Sequence, residues 1–182
     1  MRALRALLTA IAALALAPSA LAAEATLDGG VLRYAGGAKN DRIAVQKFPA
    51  DGAFVVTQLG GPEDEQVLPS PTCPLADPAV GGVVRCAGNV TRVVIETGDG
   101  ADEVRLSDLG VTGEVDLGPG ADRADVVEEA VAFNVVFRGG DGPDTLIAGV
   151  GTDTLDGGPG TDVATGGSGT DSCTAETTTG CP

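Results

Sequence analysis

Six aspartates in the C-terminal half of the chain share one place in a short glycine-containing pattern. Residues 139–174 divide into four nine-residue blocks, GGDGPDTLI, AGVGTDTLD, GGPGTDVAT and GGSGTDSCT. Each block has Gly at positions two and four and Asp at position six. Two more copies lie upstream, TGDGADEVR at 97–105 and LGPGADRAD at 117–125. Carboxylates repeated in this way supply hard oxygen donors, which predicts the binding of a hard cation.

The chemistry of the pattern fits Ca²⁺, which takes six to eight oxygen ligands at about 2.3–2.6 Å. Glycine at positions two and four lets the backbone reach positive φ, so that peptide carbonyls can point inward together. Aspartate is short enough to reach an ion lying against its own turn. One turn supplies too few oxygens, so we expect each ion to lie between two stacked turns. The predicted metal-site residues are Gly98, Gly100, Asp102, Gly118, Gly120, Asp122, Gly140, Gly142, Asp144, Gly149, Gly151, Asp153, Gly158, Gly160, Asp162, Gly167, Gly169 and Asp171.

The alternative to a metal site is a simple turn, because a single Gly-x-Gly-x-Asp loop is usually closed by an Asx hydrogen bond. Six copies, four of them contiguous at a nine-residue spacing, favour Ca²⁺ binding over that interpretation. The prediction is strongest at Asp144, Asp153 and Asp162. Asp99 and Asp141, at position three, are expected to offer a main-chain carbonyl rather than a carboxylate.

Short runs rich in Val and Ile separate the aspartate turns and predict β-strands. Two such runs fall between successive upstream copies, and two fall in every 18 residues of the C-terminal block. The pattern therefore predicts a solenoid with two strands and two turns per coil, whose coils add parallel strands to two facing sheets. The predicted strands are 90–96, 103–106, 113–117, 123–127, 133–138, 145–147, 154–156, 163–165 and 172–174.

The blocks GGDGPDTLI and GGPGTDVAT resemble the calcium-binding repeat of the repeat-in-toxin (RTX) family, G-G-x-G-x-D-x-U-x, at every position. The resemblance implies that the first six residues form a turn, that the last three form a strand, and that Ca²⁺ lies between turns of neighbouring coils. It implies an all-β fold with a right-handed parallel β-roll over residues 89–182. The chain differs from the family in its signal-like N-terminus and its four cysteines, so neither type I export nor toxin activity is implied.

The alternation of strands assigns the aspartates to two edges of the solenoid. Strands 90–96, 113–117 and 133–138 each precede an aspartate turn, so these turns share one edge. Counting on by nine-residue half-coils predicts four aspartates on this first edge, Asp102, Asp122, Asp144 and Asp162. The same count places Asp153 and Asp171 on the second edge. We expect about three ions on the first edge and one on the second, since each ion needs two adjacent turns.

Position eight of the repeat is expected to face the interior. It is occupied by Val104, Ala124, Leu146, Leu155, Ala164 and Cys173. Such a core is thin, and burial at about 25 cal/mol per Å² does not balance a backbone entropy cost of roughly 1–2 kcal/mol per residue. We therefore expect bound Ca²⁺ to contribute to the free energy of folding.

The first 22 residues have the composition of a secretory signal. Two arginines precede an apolar run, and small residues follow it. We predict cleavage after Ala22, with Ala23 as the alternative. The run of 12 apolar residues is too short to span a bilayer. A buried N-terminal helix is the alternative. The sequence therefore predicts a secreted, extracellular protein without a membrane span.

Residues 23–88 are expected to form a β-rich cap on the solenoid. RYAGGAKNDRIAV (33–45) places a glycine-containing turn with Asn40 and Asp41 before a strand, as a degenerate coil would. FVVTQL (54–59) predicts another strand.

The four cysteines favour an oxidising compartment. Their spacing favours the pairs Cys73–Cys86 and Cys173–Cys181, of which the second would close the C-terminal end of the roll. A zinc site is the alternative, but the chain has no CxxC motif and no histidine.

Charge and composition narrow the possible functions. The chain has 26 acidic and 11 basic residues, and its net charge of −15 disfavours nucleic acid and anionic membranes as partners. Without histidine, the usual nucleophile–histidine catalytic sites are excluded. The run from Glu63 to Glu65 is expected to be a solvated loop rather than a glycosidase pair. We expect a non-enzymatic protein with a binding or scaffolding role. A secreted hydrolase or an adhesion module with an accessory roll is the alternative.

Overall fold

The fold is all-β, as predicted. The computed structural model describes residues 23–61, 63–77, 81–127 and 132–181. No helix occurs in these four ranges, and hence none that could cross a membrane. The signal segment expected at 1–22 lies outside the described residues, and the division into a signal, a cap and a roll stays a prediction.

Most of the strands are short. Each of the nine predicted strands between residues 90 and 174 overlaps one of them, whereas the strands at 150–151, 168–169 and 177–179 were not predicted. The strands of the described residues are β1 (Ala23–Asp28), β2 (Val31–Ala35), β3 (Arg42–Lys47), β4 (Phe54–Gln58), β5 (Val67–Leu68), β6 (Val83–Cys86), β7 (Arg92–Glu96), β8 (Glu103–Ser107), β9 (Thr112–Asp116), β10 (Arg123–Val126), β11 (Val135–Arg138), β12 (Thr145–Ile147), β13 (Val150–Gly151), β14 (Thr154–Asp156), β15 (Val163–Thr165), β16 (Ser168–Gly169), β17 (Ser172–Thr174) and β18 (Thr177–Thr179).

Two eight-stranded sheets contain most of these strands. The first sheet has the order β17-β14-β11-β9-β7-β2-β1-β5, and the second has the order β18-β15-β12-β10-β8-β3-β4-β6. From β7 onward the chain alternates between the two sheets, and each strand pairs in parallel with its neighbours. The short strands β13 and β16 pair with each other in a separate ladder.

The N-terminal strands continue the same two sheets. Strand β2 pairs in parallel with β7, and β3 pairs in parallel with β8. Strands β1 and β4 then add antiparallel neighbours at the N-terminal ends of the sheets. The described residues between 23 and 88 thus contribute six strands to the all-β fold.

The core runs between the two sheets. In the second sheet, the position-eight residues Val104, Ala124, Leu146 and Ala164 occupy one register across four neighbouring strands and are fully buried. The first sheet contributes a matching register that contains Val115, Phe137 and Leu155. Period-two alternation produces this arrangement, because each strand turns one side chain inward between two that face outward.

Two disulfides form, with the pairing that the sequence predicted. Cys73 bonds to Cys86 at the end of β6, and Cys173 in β17 bonds to Cys181. Between Cys173 and Cys181 the chain forms β18, which pairs with β15 and completes the C-terminal end of the second sheet. The second bond therefore holds the final strand over an edge that would otherwise be exposed.

Replacing Leu146 with Ala is expected to lower the free energy of unfolding by about 2–5 kcal/mol, because it removes buried methyl groups at the centre of a thin core. Val163→Ala is the control, since Val163 lies on the neighbouring strand but is 40% exposed. Its effect should stay below about 1 kcal/mol. Urea unfolding in saturating Ca²⁺ measures both values. Equal losses would show that position eight does not form the core.

Candidate metal centre

The aspartate turns connect the two sheets. Turns that lead from the first sheet to the second form the first edge of the structure, and turns that lead back form the second edge. The turns ending at Asp102, Asp122, Asp144 and Asp162 lie on the first edge. Those ending at Asp153 and Asp171 lie on the second. The predicted assignment of aspartates to edges is confirmed.

Hydrogen bonds join the aspartates of each edge into a ladder. On the first edge, the N–H of Asp102 donates to Oδ1 of Asp122 at 2.8 Å, and the N–H of Asp122 donates to Oδ1 of Asp144 at 2.9 Å. The N–H of Asp144 donates in turn to Oδ1 of Asp162 at 2.9 Å. On the second edge, the N–H of Asp153 donates to Oδ1 of Asp171 at 3.0 Å. The carboxylate of one turn therefore accepts a hydrogen bond from the main chain of the preceding turn on the same edge.

The glycines allow the turns to stack closely. Gly140 has a φ of +106°, and a Cβ there would overlap the carbonyl oxygen of Gly118 in the preceding turn. The expectation of a positive φ is wrong at four of the predicted glycines, which are Gly120, Gly149, Gly151 and Gly160. At Gly160 a side chain is excluded by the carbonyl oxygen of Gly142 instead. Close approach of carbonyls is thus as important as backbone conformation.

Five of the predicted aspartates have a second carboxylate oxygen that accepts no hydrogen bond from the protein. All six predicted aspartates are at most 6% exposed. Oδ2 is buried and accepts no hydrogen bond in Asp102, Asp122, Asp144, Asp162 and Asp171. Native proteins rarely leave buried polar oxygens in this state, and a bound cation is one partner that satisfies them.

Main-chain carbonyls converge on the same gaps. A Cβ built on Gly139 would overlap Oδ2 of Asp144 and would lie 2.6 Å from the carbonyl oxygen of Gly157 in the next turn. A Cβ built on Gly166 would lie 2.8 Å from Oδ2 of Asp171 and 2.7 Å from the carbonyl oxygen of Gly180. A carboxylate oxygen and a carbonyl oxygen of adjacent turns therefore face one small space, which is the donor set that Ca²⁺ prefers.

Carboxylates alone do not make these sites. Within the described ranges, no three His, Cys, Asp or Glu side chains are grouped so that they could hold a metal ion. Any ion at these edges must therefore take most of its ligands from main-chain carbonyls. Ca²⁺ accepts such ligands readily, whereas zinc prefers histidine and thiolate.

Burial makes negative charge costly in the ladder. It raises the pKa of Asp122 to about 7, and the charges of Asp102 and Asp144 add to this effect, although the N–H of Asp102 opposes it. Burial likewise raises the pKa of Asp102 and of Asp144. A divalent cation between the turns would favour the ionised carboxylates.

Position three behaves differently from position six. Asp99 and Asp141 are exposed, so their carboxylates do not enter the ladder. The carbonyl of Asp141 accepts a hydrogen bond from the N–H of Gly120 at 2.8 Å. At these positions the backbone, rather than the side chain, makes the contact between turns.

Four buried or ladder-forming acids were not predicted as site residues. Asp41 lies in a turn that sequence analysis identified only as a degenerate coil, and its N–H donates to Oδ1 of Asp102 at 2.7 Å. Glu176 accepts from the N–H of Asp162 at 2.8 Å. Glu65 is buried, and so is Asp64, so the expectation of a solvated loop is wrong for both. The segment GGAKND (36–41) has Gly at positions one and two and Asp at position six, and this spacing could have indicated Asp41 as a site residue.

Comparison with known protein families found a match for the C-terminal turns. Residues 138–173 match the description "RTX calcium-binding nonapeptide repeat (4 copies)". These residues are RTX repeats. No curated protein and no solved structure matches the chain.

The RTX match covers the four contiguous blocks but not the two upstream copies. The upstream copies nevertheless continue the same structure, because Asp102 and Asp122 belong to the same hydrogen-bonded ladder as Asp144 and Asp162. RTX repeats bind calcium as a family. The predicted set of glycines and aspartates therefore stays a prediction for this chain, with buried oxygens that fit it.

Asp144→Ala is expected to reduce the number of bound Ca²⁺ ions and the stability more than Asp171→Ala. Asp144 has aspartate turns on both sides and would serve two ions, whereas Asp171 has one such neighbour. Titration calorimetry gives the number of ions, and urea unfolding in Ca²⁺ gives the stability. Equal losses for the two variants would contradict the proposed sharing of ions between turns.

Proposed function

We propose that this protein is a secreted calcium-binding protein in which Ca²⁺ between GxGxD turns stabilises a right-handed parallel β-roll with two strands per coil. The observation that carries this proposal is the ladder of buried aspartates on the first edge, each with a carboxylate oxygen left for an ion. The alternation of parallel strands between two sheets supports the roll. The RTX match over residues 138–173 supports the choice of ion.

Binding Ca²⁺ would couple neighbouring coils. An ion between two turns takes oxygens from both, so it links them in a way that the thin apolar core does not. Ca²⁺ that binds only the folded chain stabilises it by RT ln(1 + [Ca²⁺]/Kd). Extracellular calcium modules have dissociation constants of about 10⁻⁴–10⁻³ M, so millimolar Ca²⁺ is needed to stabilise the fold.

The proposed location is extracellular. The two disulfides are compatible with an oxidising compartment. Outside cells, Ca²⁺ is abundant enough for sites of this class to be occupied. Both features fit the secretory signal predicted for residues 1–22.

The proposed role is binding or scaffolding rather than catalysis. The chain has no histidine to act as a general base at neutral pH. Its buried aspartates are held in main-chain hydrogen bonds between turns. We assign these carboxylates to ion binding and give them no role in proton transfer.

Chelation is expected to remove most of the β-structure from the mature chain, and added Ca²⁺ to restore it. The reason is that buried carboxylates without a counterion oppose folding, while the apolar core alone is small. Circular dichroism with EDTA, followed by titration with Ca²⁺, measures the change. Mg²⁺ is the control, because it demands a tighter octahedral geometry and should restore much less. Full β-structure in excess chelator would contradict calcium-driven folding.

A further inference from the structure

The turn at residues 36–41 stacks on the first edge although it lies outside the RTX match. A Cβ built on Gly98 would overlap the carbonyl oxygen of Gly37, as position-two glycines do further along the edge. The N–H of Ala101 donates to Oδ1 of Asn40 at 2.9 Å. Strand β3 after this turn pairs in register with β8. Asp41 therefore stands at position six of a first, degenerate repeat.

Asp41 has a carboxylate oxygen without a hydrogen bond, as the aspartates of the first edge do. The residue is fully buried, and its Oδ1 accepts from the hydroxyl of Tyr34 at 2.6 Å. Its Oδ2 has no hydrogen-bond partner. A Cβ built on Gly36 would overlap both this Oδ2 and the carbonyl oxygen of Thr97. A carboxylate oxygen and a carbonyl oxygen of the next turn thus meet here, as they do at Gly139.

Glu65 approaches the same turn from a loop outside the repeats. Its N–H donates to the carbonyl of Asn40 at 2.9 Å, which fixes the loop on the turn. A Cβ built on Gly37 would lie 2.9 Å from Oε2 and 3.1 Å from Oε1 of Glu65. The side chain is 1% exposed, and neither oxygen accepts a hydrogen bond.

No positive charge in the described residues neutralises this glutamate. Every ion pair of those ranges lies elsewhere, and Lys39 in the same turn is exposed. The neighbouring Asp64 shows the contrast, because its Oδ2 accepts from the N–H of Gly61 at 2.9 Å. A buried carboxylate with neither a hydrogen bond nor a counterion lowers the free energy of unfolding. A cation bound beside the Glu65 carboxylate would offset this cost.

We infer that Glu65 and Asp41 are ligands of a further Ca²⁺ at the N-terminal end of the first edge. This inference rests on the proposed calcium binding, and it adds a site that lies outside the repeats. Main-chain carbonyls of the turn at 36–41 and of Thr97 are available to complete the coordination, as in the ladder. Since Glu65 lies shortly before β5, which pairs with β1, this ion fastens the N-terminal strands to the first coil.

The test compares two glutamates of one loop. Glu65→Gln keeps the shape of the side chain and removes its charge, while Glu63→Gln makes the same change at an exposed position. Titration calorimetry on the disulfide-intact mature chain should find one Ca²⁺ fewer for Glu65→Gln and an unchanged number for Glu63→Gln. Wild-type stoichiometry and affinity in Glu65→Gln would overturn the inference. Failure of the wild-type chain to bind any Ca²⁺ would instead overturn the proposed function.

A second measurement includes a result that needs only the wild-type chain and so does not depend on how the variants fold. Tyr34 is the only tyrosine, and the chain has no tryptophan, so tyrosine-sensitised emission from Tb³⁺ reports on ions close to Tyr34. Because Tyr34 contacts Asp41, the wild-type chain loaded with Tb³⁺ in place of Ca²⁺ should emit when tyrosine is excited. Emission should fall in Glu65→Gln and persist in Glu63→Gln. Tb³⁺ binding to the wild type without sensitised emission would contradict an ion at this site.

Discussion

The structure depends on one interaction, in which an aspartate accepts a hydrogen bond from the main chain of the preceding turn. Asp144 shows it in both directions, since its Oδ1 accepts from Asp122 and its N–H donates to Asp162. This bond sets the spacing between turns and keeps Oδ2 buried beside them. The requirement for glycine follows, because the turns are then too close for side chains at several positions.

A ladder of this kind needs a partner at each end, and residues outside the RTX repeats supply it. At the N-terminal end, the hydroxyl of Tyr34 donates to Asp41 in place of an amide from a preceding turn. At the C-terminal end, Glu176 accepts from Asp162 in place of an aspartate from a following turn. The bond between Cys173 and Cys181 holds the segment that carries Glu176. Terminal units of repeat proteins are generally specialised in this way, because they lack one neighbour.

The repeated part of the molecule could be predicted because its contacts recur at a fixed spacing. Nine-residue periodicity was enough to place Asp153 on the opposite edge from Asp144, and position eight was enough to identify Leu146 as core. Glu65 could not be found in this way. Its contact with Gly37 joins a loop to a turn 28 residues earlier, and a run of three acids is ordinarily solvated. The reason for glycine at position 160 could not be predicted either, because it lies in the close stacking of this residue on the carbonyl oxygen of Gly142.

The arrangement of positive charges explains how so acidic a chain keeps arginine away from the aspartates of the first edge. The five ion pairs found among the described residues each use an arginine, and none of them involves Asp102, Asp122, Asp144 or Asp162. Arg92 and Arg138 both pair with Glu114 across neighbouring strands of the first sheet. Exposed pairs of this kind contribute little stability, but they reduce repulsion between strand acids. An arginine in a turn would neutralise an aspartate permanently and would need more room than the stacked glycines leave. Placing arginines on the strands therefore reserves the turn carboxylates for a small divalent ion, and it makes the folding of the repeats dependent on that ion.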